Sequence, residues 1–173
     1  YISTAVASVT FLFAGLVIVY KTLHSFIDKK FASFVTLSMW LASPLIYFSF
    51  IRQRMSHTVE FFFAAVLIFT WIHFRRSKDP LRYAVLGALL GFLCVIRVIN
   101  IAFFALFAVD LLWNFRADLK SGSNIKKLCL LGGAGLGGFF LVMLPQIVCW
   151  YQLNGVPFPP RHMKFAGEGL SGI

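Results

Sequence analysis

At 173 residues the chain has the length of one ordinary soluble domain, but 60% of its residues are hydrophobic, 13% are charged and its mean hydropathy is +0.84. Soluble domains run at about 45–50% apolar and about 25% charged, so this composition excludes a water-exposed globular surface. The net charge of +10 is dispersed in short clusters between apolar blocks and forms no continuous basic face, which argues against a nucleic-acid partner and for membrane topology.

Six apolar segments follow one another, and together they predict an all-α fold: a polytopic transmembrane helical bundle of about six spans, occupying residues 1–150. The first, Ile2 to Tyr20, has neither a basic region before it nor a small-residue cleavage site after it, so it is expected to be a span and not a signal peptide. Phe31 to Ile51 is expected to cross back, and Val59 to Phe74 to cross again. Tyr83 to Ile96 and Val98 to Trp113 are each short, and are read as a hairpin of two truncated spans bent at Arg97 to Asn100; one long tilted helix from Tyr83 to Trp113 is the alternative. Leu128 to Trp150 is the last span. Residues 151–173 carry three prolines, which forbid a continuous helix, and are expected to begin an outer-face loop. Neither Tyr1 nor the stretch Gly167 to Ile173 carries a terminating signal, so the chain is expected to belong to a longer membrane domain.

Alternate connections differ in charge. One set holds Lys21, Lys29, Lys30, Arg75, Arg76, Lys78, Arg82, Arg116, Lys120, Lys126 and Lys127, eleven in all, and the other holds Arg52, Arg54, Arg97, Arg161 and Lys164, which is five. The excess marks the cytoplasmic side and places both ends of the chain outside. Gly87 with Gly91, and Gly133 with Gly137, have the spacing that lets helix backbones approach closely in lipid. The glycine run from Gly132 to Gly138 lies inside an apolar block without a following Lys-Ser/Thr, so it is not a nucleotide loop. Cys94, Cys129 and Cys149 lack metal-ligand spacing and are expected to be packing residues.

Few residues can carry chemistry. Arg97, at the bend of the hairpin, is a charge within apolar sequence and needs a partner or a wet cavity; its fork suits phosphate oxygens, and snorkelling or pairing with a carboxylate is the bland reading. Arg52, Arg54, His57 and Glu60 form a second outer cluster, in which His57 and Glu60 share one helical face. That pair offers two donors to a divalent metal ion, with His57 the metal candidate, or else is a solvated pair. Asn100, His162 and Glu168 complete the outer-face candidates. Asp110 lies within the fifth segment without evident companions.

The stretches Met55-Ser-His-Thr-Val-Glu-Phe-Phe-Phe63, Gly87-Ala-Leu-Leu-Gly-Phe-Leu-Cys-Val-Ile-Arg-Val-Ile-Asn100, Leu144-Pro-Gln-Ile-Val-Cys-Trp150 and Asn154-Gly-Val-Pro157 resemble, in content and order, membrane glycosyltransferases of the GT-C superfamily. The likeness is to the protein O-mannosyltransferase and aminoarabinose-transferase-like branch. It implies transfer of a sugar from a polyprenyl-phosphate donor to an acceptor at the outer face of a bacterial inner membrane. It also implies that Arg97, or Arg52 or Arg54, meets the donor phosphate, and that the principal acidic residue precedes Tyr1. His57 stands where many relatives carry an acid. Two other classes compete: a secondary transporter or lipid flippase, which should show an internal repeat, and a structural subunit whose Arg97 pairs with a partner helix in a membrane complex.

Overall fold

The computed structural model of the chain describes residues 2–51, 56–75, 77, 79–121 and 125–158, and among these every regular element is helical. Helices α1 (Ile2–His24), α2 (Lys29–Leu41), α3 (Leu45–Phe50), α4 (His57–His73), α5 (Pro80–Ile96), α6 (Phe104–Ser121) and α7 (Ile125–Asn154) follow in order, with a 3₁₀ segment, Val98–Phe103, between α5 and α6.

Local chemistry fixes several boundaries. Asp79 accepts a hydrogen bond from the Leu81 N–H at 3.0 Å and Pro80 opens α5, because proline's missing N–H is harmless in a first turn. Pro44 separates α2 from α3, so the segment expected as one span from Phe31 to Ile51 is two helices of 13 and 6 residues. The residue before a proline is driven from helical backbone, which is why α2 closes upstream. Gly155, at φ +71, ends α7 by donating its N–H to the Tyr151 carbonyl at 2.9 Å, a left-handed cap that glycine adopts without strain. Helix α7 continues through Pro145.

Among the described residues two helices, α1 and α7, are long and apolar enough to cross a membrane, fewer than the six spans expected from sequence. At about 1.5 Å per residue the 17 residues of α4 or α5 reach about 26 Å, short of a hydrocarbon core of about 30 Å.

Contacts at both ends of α4 and α5 show how the chain runs. His57, first in α4, meets Arg97, just past α5, whereas Trp71 near the end of α4 meets the carboxylate that Arg82 near the start of α5 also holds. Helices α4 and α5 are therefore antiparallel. The 3₁₀ segment and α6 return beside α5, bringing Asp110 back to Arg82; the hairpin bent at Arg97 to Asn100 is present. Helix α7 runs parallel to α5, with Gly87 against Gly135 and Gly91 against Phe139 and Val142. A Cβ at Gly87 would strike the Gly135 carbonyl, and one at Gly138 the Ala84 carbonyl, so the two backbones touch. Gly87 and Gly91 thus act as expected, but the α7 glycines that meet α5 are Gly135, against Gly87, and Gly138, against Ala84; Gly133 and Gly137 face open space. The core gathers Leu86, Leu90 and Leu93 of α5, Leu131, Phe139 and Met143 of α7, Leu67 of α4 and Phe107 of α6. Cys94 is packed there, but Cys129 and Cys149 are exposed on α7, which corrects their expected role.

Candidate functional site

Arg97 is set by the end of α5. Its N–H still bonds the Leu93 carbonyl at 2.9 Å, but its backbone is extended, at φ −152 and ψ 124. That step out of the helix swings the guanidinium from the end of α5 toward the first turn of α4. There it meets both residues that the sequence placed on one face: Arg97 Nε lies 3.6 Å from Glu60 Oε2, and Arg97 Nη2 lies 3.2 Å from His57 Nε2. His57 Nδ1 in turn lies 3.6 Å from the same Glu60 oxygen, closing a triangle.

The contact with arginine selects the imidazole tautomer. A guanidinium only donates, so His57 Nε2 accepts and the ring proton sits on Nδ1, facing the Glu60 carboxylate. Phe48, carried by α3, stacks on the other side of the ring, with centroids 4.1 Å apart and planes 29° apart. Helix α3, short as it is, therefore fixes the imidazole plane. The Arg97 side chain remains 45% exposed, against 22% for His57 and 19% for Glu60, so its unengaged N–H groups face outward from the bundle end. A carboxylate behind a guanidinium orients it without occupying its open edge, which suits an incoming oxyanion.

The other candidates fall differently. Asn100 is buried, and its amide donates to the Leu93 carbonyl at 3.0 Å; it closes the end of α5 and does not face the triangle. Arg52, Arg54, His162 and Glu168 lie outside the described residues, as do Arg161 and Lys164. Among the described residues no three His, Cys, Asp or Glu side chains converge as metal ligands. Arg97 stands against both His57 and Glu60, so a cation already lies beside the two donors that a divalent ion would use.

At the opposite end sits a buried cluster the sequence did not reveal. Asp110 Oδ1 accepts from Arg82 Nη2 at 2.9 Å and from Trp71 Nε1 at 2.9 Å, and Asp110 Oδ2 accepts from the Tyr83 hydroxyl at 3.0 Å. Arg82 Nη1 also donates to the Ser77 carbonyl at 3.0 Å. Arg82, expected in a basic loop, is instead a buried residue of α5, with 3% of its side chain exposed. The cluster ties α4, α5 and α6 together at the end remote from Arg97. The Asp-Pro pair that opens α5 was the available signal for Arg82, because it puts that residue in the first turn of a helix; nothing local signals its meeting with Asp110.

Comparison of the chain with protein-family models, with curated proteins and with solved structures finds no match.

Proposed function

We propose that the chain is part of a multi-pass membrane glycosyltransferase of the GT-C type, moving a sugar from a polyprenyl-phosphate donor to an acceptor at the outer face of a bacterial inner membrane. The membrane part of the reading is supported by the outside of the bundle. Phe13, Val17, Phe34, Leu37, Leu141 and Leu144 all present large apolar side chains outward. Large apolar side chains exposed in such number are what lipid requires. Lys21, Lys29, Lys30, Arg75, Lys126 and Lys127 fall at the bundle end where Asp110 lies, which becomes the cytoplasmic side, and Arg97 falls at the other. The short helices cross by local thinning of the bilayer or by packing on the rest of the membrane domain.

The single observation that carries the catalytic part is the half-exposed Arg97 guanidinium, oriented by Glu60 and His57 at the outer end of a broken helix. In the proposed reaction the acceptor's nucleophilic oxygen or nitrogen attacks the anomeric carbon while the bond from that carbon to the phosphate oxygen breaks. The acceptor's proton passes to a carboxylate expected upstream of Tyr1, and the polyprenyl phosphate leaves with the bonding pair. Arg97 stabilises that growing negative charge. Pairing within the chain weighs against the structural-subunit alternative, because Glu60 already supplies the partner that Arg97 would have sought on another helix.

The test is release of polyprenyl phosphate from a labelled polyprenyl-phosphate sugar by the purified full-length protein. Arg97→Leu is expected to abolish release with membrane insertion intact. Unchanged turnover in that variant overturns the reading.

A further inference from the structure

Helices α1 and α2 form an antiparallel pair whose outer side is left open. Phe13, Leu16, Val17, Leu37 and Trp40 line a groove of about 280 Å³ between them, and Tyr20 stands at one end. The groove is directional. Phe13 and Trp40, with ring centroids 5.8 Å apart, mark the end toward Arg97. Tyr20 marks the end toward the α1–α2 turn, where Lys21, Lys29 and Lys30 are all exposed. Against these three lysines stands Asp28, which leaves +2 at the turn (3 − 1), with His24 stacked on Tyr20 at 5.9 Å. The hydroxyls of Ser33 and Thr36, which also line the groove, donate to carbonyls of their own helix, to Lys29 and Ala32, so the groove wall presents methyls and methylenes instead of hydrogen-bonding groups. From Phe13 to Tyr20 the groove runs about 10 Å along α1. An apolar slot that ends in a cluster of cations is complementary to an amphiphile with an anionic head.

We infer that this groove is a binding site for one anionic glycerophospholipid of the cytoplasmic leaflet. An acyl chain lies between α1 and α2, and the headgroup phosphate meets Lys21, Lys29 and Lys30. The inference rests on the membrane part of the proposed function and is independent of sugar transfer. The site lies at the opposite end of the bundle from Arg97, so it is not the place where a donor phosphate would react.

The experiment is native mass spectrometry of the full-length protein released from detergent containing equal amounts of phosphatidylglycerol and phosphatidylcholine. One phosphatidylglycerol is expected to be retained in preference. Loss of a lysine near the phosphate should weaken retention roughly fivefold, so Lys29→Gln with Lys30→Gln should weaken it roughly 25-fold. Filling the groove with Ser33→Trp, or with Leu37→Trp if the first variant unfolds, should abolish retention while leaving every lysine in place. Equal retention of the two lipids overturns the inference. So does phosphatidylglycerol binding that survives both groove-filling variants, since that describes diffuse attraction to a basic surface, and so does its displacement by equimolar polyprenyl phosphate. A wild-type protein that alkaline carbonate washes off membranes refutes the membrane reading itself, whereas a membrane-retained protein with no lipid preference refutes only the groove.

Discussion

Breaking the Arg82–Asp110 pair is the sharpest perturbation of stability that this structure offers. Both side chains are almost wholly buried, at 3% and 1% exposure, and the carboxylate collects three donors from two helices besides its own. Arg82→Met takes from the Asp110 carboxylate the cation that bonds it at 2.9 Å, and Asp110→Asn leaves the buried guanidinium facing an amide. Each is expected to destabilise the bundle by about 3–5 kcal/mol, because one member of a buried charge pair is removed. The lower end is the better expectation in lipid, where the unfolded state also finds polar partners. The double variant removes both charges, and the Asn carbonyl still accepts from Trp71 or Tyr83. It should therefore cost only about 1–3 kcal/mol, the order of one or two imperfect hydrogen bonds. The cycle then yields a coupling of at least about 3 kcal/mol. Reversible unfolding in bicelles, followed by tryptophan fluorescence for the four proteins, measures it. Additivity within about 0.5 kcal/mol would refute the reasoning, because independent sites add to that precision.

Other outcomes follow from the same contacts. Gly138→Val should separate α5 from α7 and lower the unfolding midpoint, since its side chain would enter the Ala84 carbonyl, while Gly133→Ala and Gly137→Ala should be neutral or stabilising by up to about 1 kcal/mol; equal losses in all three, read by the same unfolding assay, would contradict the assigned face. On the proposed function, Phe48→Ala should loosen the His57 ring and reduce sugar-transfer turnover severalfold without changing the amount of inserted protein, because Phe48 stacks on the imidazole. On the same proposal Arg97→Lys keeps the charge but loses the fork, so it should retain only a small part of any polyprenyl phosphate release measured for the wild type.

The helical class and most helix positions could be read from the apolar blocks, because lipid and core both demand long runs of apolar residues with internally satisfied backbone. The bend at Arg97 was legible for the same reason: a charge interrupts two apolar runs too short to be separate full crossings. What failed was the second segment, where composition continues smoothly across Pro44 and only the backbone restriction of proline breaks the helix. His57 and Glu60 could be paired from sequence, being three residues apart, whereas their meeting with Arg97 spans 40 positions and depends on how α4 and α5 pack. Asp110 was noticed as an orphan; its partners Tyr83, Arg82 and Trp71 lie 27, 28 and 39 positions away. Glycine spacing found the close-packing face of α5 but chose the wrong stripe of α7, since a run of five glycines within seven residues satisfies the pattern on more than one face.

The central claim is that Arg97 lies at the outer face, within reach of a lipid-borne phosphate. It is tested most directly by labelling Arg97→Cys in a full-length background with Cys94, Cys129 and Cys149 replaced by alanine, using a membrane-impermeant thiol reagent on intact cells and Ser25→Cys as the opposite-side control. Position 97 should react from outside, and position 25 should react only after the cells are opened. Reaction at position 97 confined to opened cells would contradict the account.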